Sequence, residues 1–365
     1  MNKELQEIIK YFEQAAPEAS RAILATVVDV KGSSYRLPGA RMLVGERGEM
    51  LGTVSGGCLE ADVLERANQV LRTGNTEIFT YDTTNLEDSI FSLNMGCRGV
   101  IRILLERPDS DFMYFLRRLY KSRHGGLIAT LINPQTNEYE IGARLMFDED
   151  CLATSDFSPA EIENLTAGCL AVLSEKKSKL VETGLGEFFL EFVPSSISLV
   201  IFGAGADAIP VAQAAKSLGW RVTIVDHRAA FASTERFPVA DEIIVARAEN
   251  LEENLKIAEN TVAVVMSHNY EHDKNTLRFL LRSSALYVGA LGPKRRTENI
   301  LAEWCAAGED FSEDELNKLY APVGLDIGAD TPESIALSIV AEIKSVLERR
   351  AGGFLRYRTG SIYNR

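Results

Sequence analysis

The sequence predicts an α/β chain of two domains: a C-terminal domain built on a parallel sheet with helices on both faces, preceded by an α+β domain. Three observations predict it. Past residue 195, short β-branched runs alternate with helix-period stretches, the mark of repeated βαβ units. Before it, longer alternating strands are joined by glycine-bearing turns. Finally, 365 residues suit two cores rather than one, and the polar break Pro194-Ser195-Ser196 offers the boundary, giving domains 1–195 and 196–365.

Residues 1–16 (MNKELQEIIKYFEQAA) have no apolar leader core and read as an amphipathic helix. Strands follow at RAILATVVDV and at ARMLVGERGEMLGTV, which reverses near Arg47-Gly48, and then at TEIFTYDT and GVIRILLERP. Between Pro108 and Pro194 we read a helix (DFMYFLRRLY), a strand pair (GLIATLINPQTNEYEIGARLMF) and a closing strand (GEFFLEFV). No internal repeat is evident from the sequence.

In the second domain SLVIF, the turn GAG, the helix-period run ADAIPVAQAAKSLGW and the strand RVTIVD make one βαβ unit, hence a Rossmann-like reading. Further strands are expected at 242–246, 261–266 and 285–291, separated by helices such as HDKNTLRFLLRSS. The last helix opens at Pro332 behind the capping residue Thr331.

Composition narrows the function. The 39 Lys and Arg against 52 Asp and Glu give a net charge of −13, which excludes broad nucleic-acid binding. No apolar run is long enough for a membrane span, so a cytoplasmic location is expected. Five scattered cysteines fit a reducing compartment better than a disulfide framework, and Cys151, Cys169 and Cys305 read as buried, inert thiols.

Four constellations carry chemistry. Gly203-Ala-Gly205-Ala-Asp-Ala208 lies between a strand and a helix, where a phosphate meets backbone N–H groups, and Asp226 ends the next strand, where a carboxylate accepts sugar hydroxyls. Gly289-Ala-Leu-Gly292-Pro-Lys294-Arg295-Arg296 puts three cations at a helix start; they oppose the dipole unless an anionic ligand or acidic neighbour offsets them. Met266-Ser267-His268, with His272 and Asp273 beyond, follows a strand end, where open α/β sheets bind ligands. The string from His268 to His272 also matches the H-x-x-E-H pattern, but zinc hydrolysis needs both histidines on one continuous helix and His268 falls before it. In the first domain stand Lys31-Gly-Ser-Ser-Tyr-Arg36-Leu-Pro-Gly39-Ala-Arg41, Ser55-Gly56-Gly57-Cys58-Leu-Glu60 and Gly96-Cys97-Arg98-Gly99. Cys58 is expected at a helix N-terminus, where the dipole favours a thiolate that is a nucleophile or soft-metal ligand, and Cys97 lies beside an arginine.

With these motifs assembled, the chain resembles the XdhC/CoxI family of xanthine dehydrogenase accessory factors. The resemblance is carried by GSSYRLPGARMLV, GTVSGGCLEADV and GCRGVIRI in the first half. In the second it rests on VIFGAGADAIPVAQAAKSLGWRVTIVDHR, MSHNYEHD, YVGALGPKRR and PVGLDIGADTPESIALSIVAEI. It implies an accessory role rather than an enzyme of its own. The chain would bind molybdenum cofactor (molybdopterin), protect it during sulfuration and deliver it, as a homodimer, to a xanthine dehydrogenase-like molybdenum hydroxylase, with a cysteine desulfurase as a further partner. Gly203, Gly205, Asp226, His268, Asp273, Arg295 and Arg296 would then contact the cofactor, and Cys58 and Cys97 its molybdenum. Arg98 stands where the family shows another glycine, and His272 has no place in its pattern. The rival readings are an NAD(P)-dependent oxidoreductase, which the glycine turn alone invites, and a docking adaptor with an empty nucleotide fold.

Overall fold

The computed structural model describes residues 2–14, 21–82, 99–122, 124–148, 152–360 and 362. The chain forms two compact units, Met1–Ser195 and Ser196–Arg365. Among the described residues no helix is long and apolar enough to cross a membrane.

The first unit holds two five-stranded antiparallel sheets of the same design. After helix α1 (Lys3–Gln14) come β1 (Ile23–Gly32), β2 (Arg41–Val44), β3 (Met50–Gly52), α2 (Glu60–Thr73), β4 (Glu77–Asp82) and β5 (Gly99–Glu106), in the sheet order β3-β2-β1-β5-β4. After α3 (Ser110–Lys121) the pattern recurs: β6 (Gly126–Pro134), β7 (Arg144–Asp148), β8 (Leu152–Ser155), α4 (Pro159–Glu175), β9 (Lys179–Thr183) and β10 (Gly186–Val193), in the order β8-β7-β6-β10-β9. The expectation of no repeat is therefore corrected: the unit is an internal duplication.

Register fixes the equivalence. Thr26 faces Arg41 as Thr130 faces Arg144, and Leu24 faces Glu106 as Ile128 faces Glu191. A bulge leaves Val28 unpaired in β1 and Ile132 in β6. Sequence identity survives at the buried Ala25-Thr26 and Ala129-Thr130, and at Gly39-Ala40-Arg41 and Gly142-Ala143-Arg144, whose arginines are buried. Helix α2 packs through Val63, Ala67 and Val70 on Ile23, Ala25 and Val27. Likewise α4 packs through Leu165 and Val172 on Leu127, Ala129 and Leu131. Val28, Leu104, Ile132 and Phe189 join the two copies in one small core.

The second unit is a six-stranded parallel sheet in the order β13-β12-β11-β14-β15-β16. Its strands are β11 (Ser198–Phe202), β12 (Arg221–Asp226), β13 (Glu242–Val245), β14 (Thr261–Val265), β15 (Tyr287–Ala290) and β16 (Leu319–Tyr320). The β11, β12 and β14 runs are buried almost throughout, as a sheet covered on both faces requires. Helices α5 (Ala208–Ser217) and α10 (Pro332–Leu347) pack on one face; α6 (Leu251–Asn254), α7 (Tyr270–Leu281) and α8 (Lys294–Ala306) pack on the other. A short helix, α9 (Glu313–Asn317), precedes β16. Strand order reverses between β11 and β14, and ligands of open α/β sheets bind outside the carboxyl ends of the strands at such a point. Thr331 caps α10 by accepting from the Ser334 N–H at 3.2 Å.

One cysteine reading changes. Cys305 is exposed on α8, whose inward position is taken by the buried Trp304. Cys169 is half-buried, and burial pushes its thiol up to about 11. Cys151 lies outside the described residues.

Candidate functional site

The glycine turn of the second unit separates two jobs that its sequence left merged. Gly203 has φ of +114°, and a Cβ there would lie 2.6 Å from the Met266 carbonyl oxygen. Only glycine lets the end of β11 press against the end of β14. Gly205 has no such constraint, since a Cβ placed on it meets nothing within 4 Å. Among the described residues the N–H groups of Gly205, Ala206 and Asp207 donate to no other group of the chain. The turn leading into α5 is thus open and lined with free donors, the arrangement that seats an anion.

Asp226 is buried at the end of β12. Its carboxylate accepts from the Ala204 N–H at 2.8 Å, the Arg228 N–H at 2.9 Å and the Arg228 guanidinium at 2.8 and 3.0 Å. Burial acts to raise its pKa, but the Arg228 guanidinium and these N–H donors prevail and hold it at about 2. The carboxylate's bonds within the chain run to the turn and to Arg228.

At the end of β14, His268 takes φ of +60° and reaches Asp207 at 3.4 Å, just before Asn269 caps α7. His272, one turn into α7, stacks instead on His227 with ring centroids 4.4 Å apart. The two histidines of the H-x-x-E-H string therefore face different partners, and among the described residues no cluster of three metal-ligating side chains exists. Asp273 is buried, accepting from the Ser267 hydroxyl at 2.5 Å and from Arg296 at 2.6 Å. Burial raises its pKa, against the opposing pull of Ser267 and Arg296.

Arg296 thus finds an acidic neighbour that offsets its place at the start of α8. Lys294 reaches Glu298 at only 3.9 Å, while Arg295 is exposed and makes no ion pair among the described residues. Gly203, Gly205, Asp226, His268, Asp273, Arg295 and Arg296 all fall at the carboxyl end of the parallel sheet. The sequence reading overlooked His227 and Arg228, although both directly follow the acid that ends β12.

In the first unit Tyr35 meets Gly56, and Gly99 at the start of β5 meets the end of β1. The Tyr35 ring lies on Gly56, where a Cβ would come within 2.6 Å of it. Gly99 packs against the Lys31 and Ser33 carbonyls, at 2.6 and 2.7 Å from its own would-be Cβ. Cys58 is exposed at the head of α2, whereas Cys97 and Arg98 lie outside the described residues. Glu60 organises the loop: its carboxylate accepts from the Ser55 and Gly57 N–H groups, both at 2.9 Å, from those of Val54, Gly56 and Leu59, and from the Thr53 and Ser55 hydroxyls. Burial acts to raise its pKa, yet the hydroxyl and backbone donors hold it at about 2. The sequence signal for Glu60 was an acidic residue in the first helical turn.

This pairing of a glycine-turn nucleotide fold with a Gly-Gly-Cys-bearing α+β unit defines the class: the chain belongs to the XdhC and CoxI family. The family's own model matches residues 16–82 and the XdhC Rossmann domain matches residues 199–343, together more than half of the chain. Among its relatives is a probable xanthine dehydrogenase subunit of Bacillus subtilis, 29% identical over 92% of this chain and 96% of that protein. Another is the molybdenum cofactor insertion chaperone PaoD of Escherichia coli, 25% identical over 93% and 87%. A crystal structure from Bacillus halodurans, described as a xanthine dehydrogenase, superposes with a TM-score of 0.76 at 29% identity, covering 94% of this chain and 96% of that one.

Proposed function

We propose that the chain is an accessory protein that binds molybdenum cofactor, shields it while it is sulfurated and delivers it to a xanthine dehydrogenase-like hydroxylase. The observation that carries this reading is the glycine turn. A Cβ on Gly205 would meet nothing within 4 Å, and among the described residues the N–H groups of Gly205, Ala206 and Asp207 donate to no other group of the chain. The turn suits a phosphate-bearing ligand, and a pterin phosphate is such a ligand. The names of the relatives, a cofactor insertion chaperone and a xanthine dehydrogenase subunit, support the same direction.

In this role the Gly205 turn and Arg295 would take the phosphate, and Ser267 and His268 would hydrogen-bond ring substituents. The cofactor, when bound, would supply a dithiolene-held metal, for which Cys58 and Cys97 are the proposed soft ligands. A homodimer and a desulfurase that supplies sulfur belong to the same proposal. The test is to incubate the apo protein with isolated cofactor and measure bound pterin and molybdenum per chain. Near-stoichiometric retention is expected; tight NAD(P)H binding without pterin would overturn it.

A further inference from the structure

Residues 349–365, beyond α10, reverse the charge of the chain. They hold five arginines and no acidic residue, so all 52 Asp and Glu lie before them. Among them Phe354, Leu355, Tyr357 and Ile362 are 69%, 64%, 73% and 62% exposed. The segment is nevertheless held in place. The Arg350 N–H donates to the Ser345 carbonyl at 2.7 Å, and Gly352 lies against Leu325, whose side chain would be 3.0 Å from a Cβ there. A single turn over Leu355–Tyr357 then sets the Phe354 and Tyr357 rings edge to face, 5.9 Å apart, with the Arg356 guanidinium 5.0 and 5.1 Å from them.

Four large apolar side chains left in solvent add little to the unit's own core. Exposed aromatic rings interleaved with arginine are instead the composition of protein–protein contacts. The arginines call for an acidic counterpart, and the chain presents one in the same unit. Asp310, Glu313 and Asp314, between the end of α8 and the first turn of α9, are exposed and make no ion pair among the described residues. Beside them Leu316 is exposed as well. Both features flank β16, the last strand of the sheet, whose outer edge pairs with no strand among the described residues. Helix α9 directly precedes β16, and Leu325, on which Gly352 rests, follows shortly after it.

We propose that the 349–365 segment docks on a second copy of this chain, its Arg356 and aromatic rings meeting the acidic α8–α9 corner and Leu316 of that copy across the β16 edge. By two-fold symmetry each copy gives both halves of the contact, so it forms twice in one closed dimer. The inference supplies an interface for the homodimer of the reading above, on which it rests, and is independent of what the glycine turn binds.

The test is sedimentation velocity of the full chain over a concentration series, with retention of isolated molybdenum cofactor measured on the same samples. The wild type is expected to dimerise, and removing residues 354–365 should leave a monomer with an unchanged melting temperature. Tyr357→Ala should weaken the dimer about thirty-fold, as the loss of one central aromatic contact does. Arg356→Glu and Glu313→Lys should each weaken it about ten-fold, while the two together restore it, because the charges are then exchanged in both contacts. These exposed substitutions carry the test should the truncated chain not fold. A wild-type chain that stays monomeric, a truncated chain that still dimerises, or a double variant no tighter than the single ones overturns the interface. A dimer that is lost in these variants, in a protein that retains no cofactor, keeps the interface and overturns the cofactor reading instead.

Discussion

At the scale of single residues, Glu60 decides how Cys58 is presented. Seven donors of the Thr53–Leu59 loop converge on its carboxylate, so the N–H groups beside the thiol serve Glu60 and not the sulfur. Gly56 and Gly57, at φ of +91° and +118°, let the loop close that tightly. The carboxyl titrates near 2 when folded against 4.5 ordinarily. Its depressed value contributes stability that is complete above 4.5 and is lost as the pH falls from there toward 2. Glu60→Gln should lower the melting temperature at neutral pH, and the gap from wild type should close over that window. A gap that stays constant down to pH 2 would remove Glu60 from this role. For the thiols, replacing Cys58 and Cys97 together by alanine should leave melting unchanged while molybdenum retention and partner activation fall; unchanged metal content would take both out of the mechanism.

At the scale of elements, the turn between β11 and α5 makes the sharpest contrast. Gly203→Ala forces a Cβ to within 2.6 Å of a backbone carbonyl at φ of +114°, and should destabilise by about 2 kcal/mol or more. Gly205→Val meets open space and should keep stability within about 1 kcal/mol while abolishing cofactor retention. Denaturation and retention measured on both variants separate the structural glycine from the ligand-facing one; a Gly205→Val protein that still retains cofactor would refute the assignment. The G-x-G spacing announced the turn but not this division, because the contact that constrains Gly203 comes from residues 266 and 267, more than sixty positions away. The same limit explains the missed elements. β8, α4 and β9 were not foreseen: α4 carries Thr166 and Gly168 in mid-helix, and Gly168 is in place because Leu190 of β10 packs 3.0 Å from where its Cβ would be. The buried strands β11, β12 and β14, whose β-branched runs are dictated locally, were legible within a residue of their ends.

At the scale of the whole molecule, the duplication in the first unit shows what the chain kept and what it let go. Only the first copy has the Gly-Gly-Cys loop; at the same place the second has Ser155-Asp-Phe-Ser-Pro159 leading into the capping box of α4. Both copies kept the residues that bind them together, and those residues are exchanged. Arg41 of the first copy holds Glu191 of the second in a buried two-pronged pair at 2.7 and 2.5 Å, and the equivalent Arg144 of the second holds Glu106 of the first. Both guanidinium groups lie near the Phe112 ring, at 6.0 and 4.0 Å. The duplication escaped the sequence reading because a buried pair needs only one matched residue in each copy, so the surface between was free to drift. Removing one partner leaves a charge stranded at 3% exposure, so Arg144→Met alone should cost about 3–5 kcal/mol. Adding Glu106→Leu removes the stranded charge and should recover most of that loss. Hydrogen exchange of the β1 and β6 amides in rising urea reports the first unit by itself, since Trp220 and Trp304, the chain's two tryptophans, both lie in the second. If Arg144→Met costs less than about 1 kcal/mol, or the double variant is no more stable than the single, the exchanged pairs are not what locks the copies together.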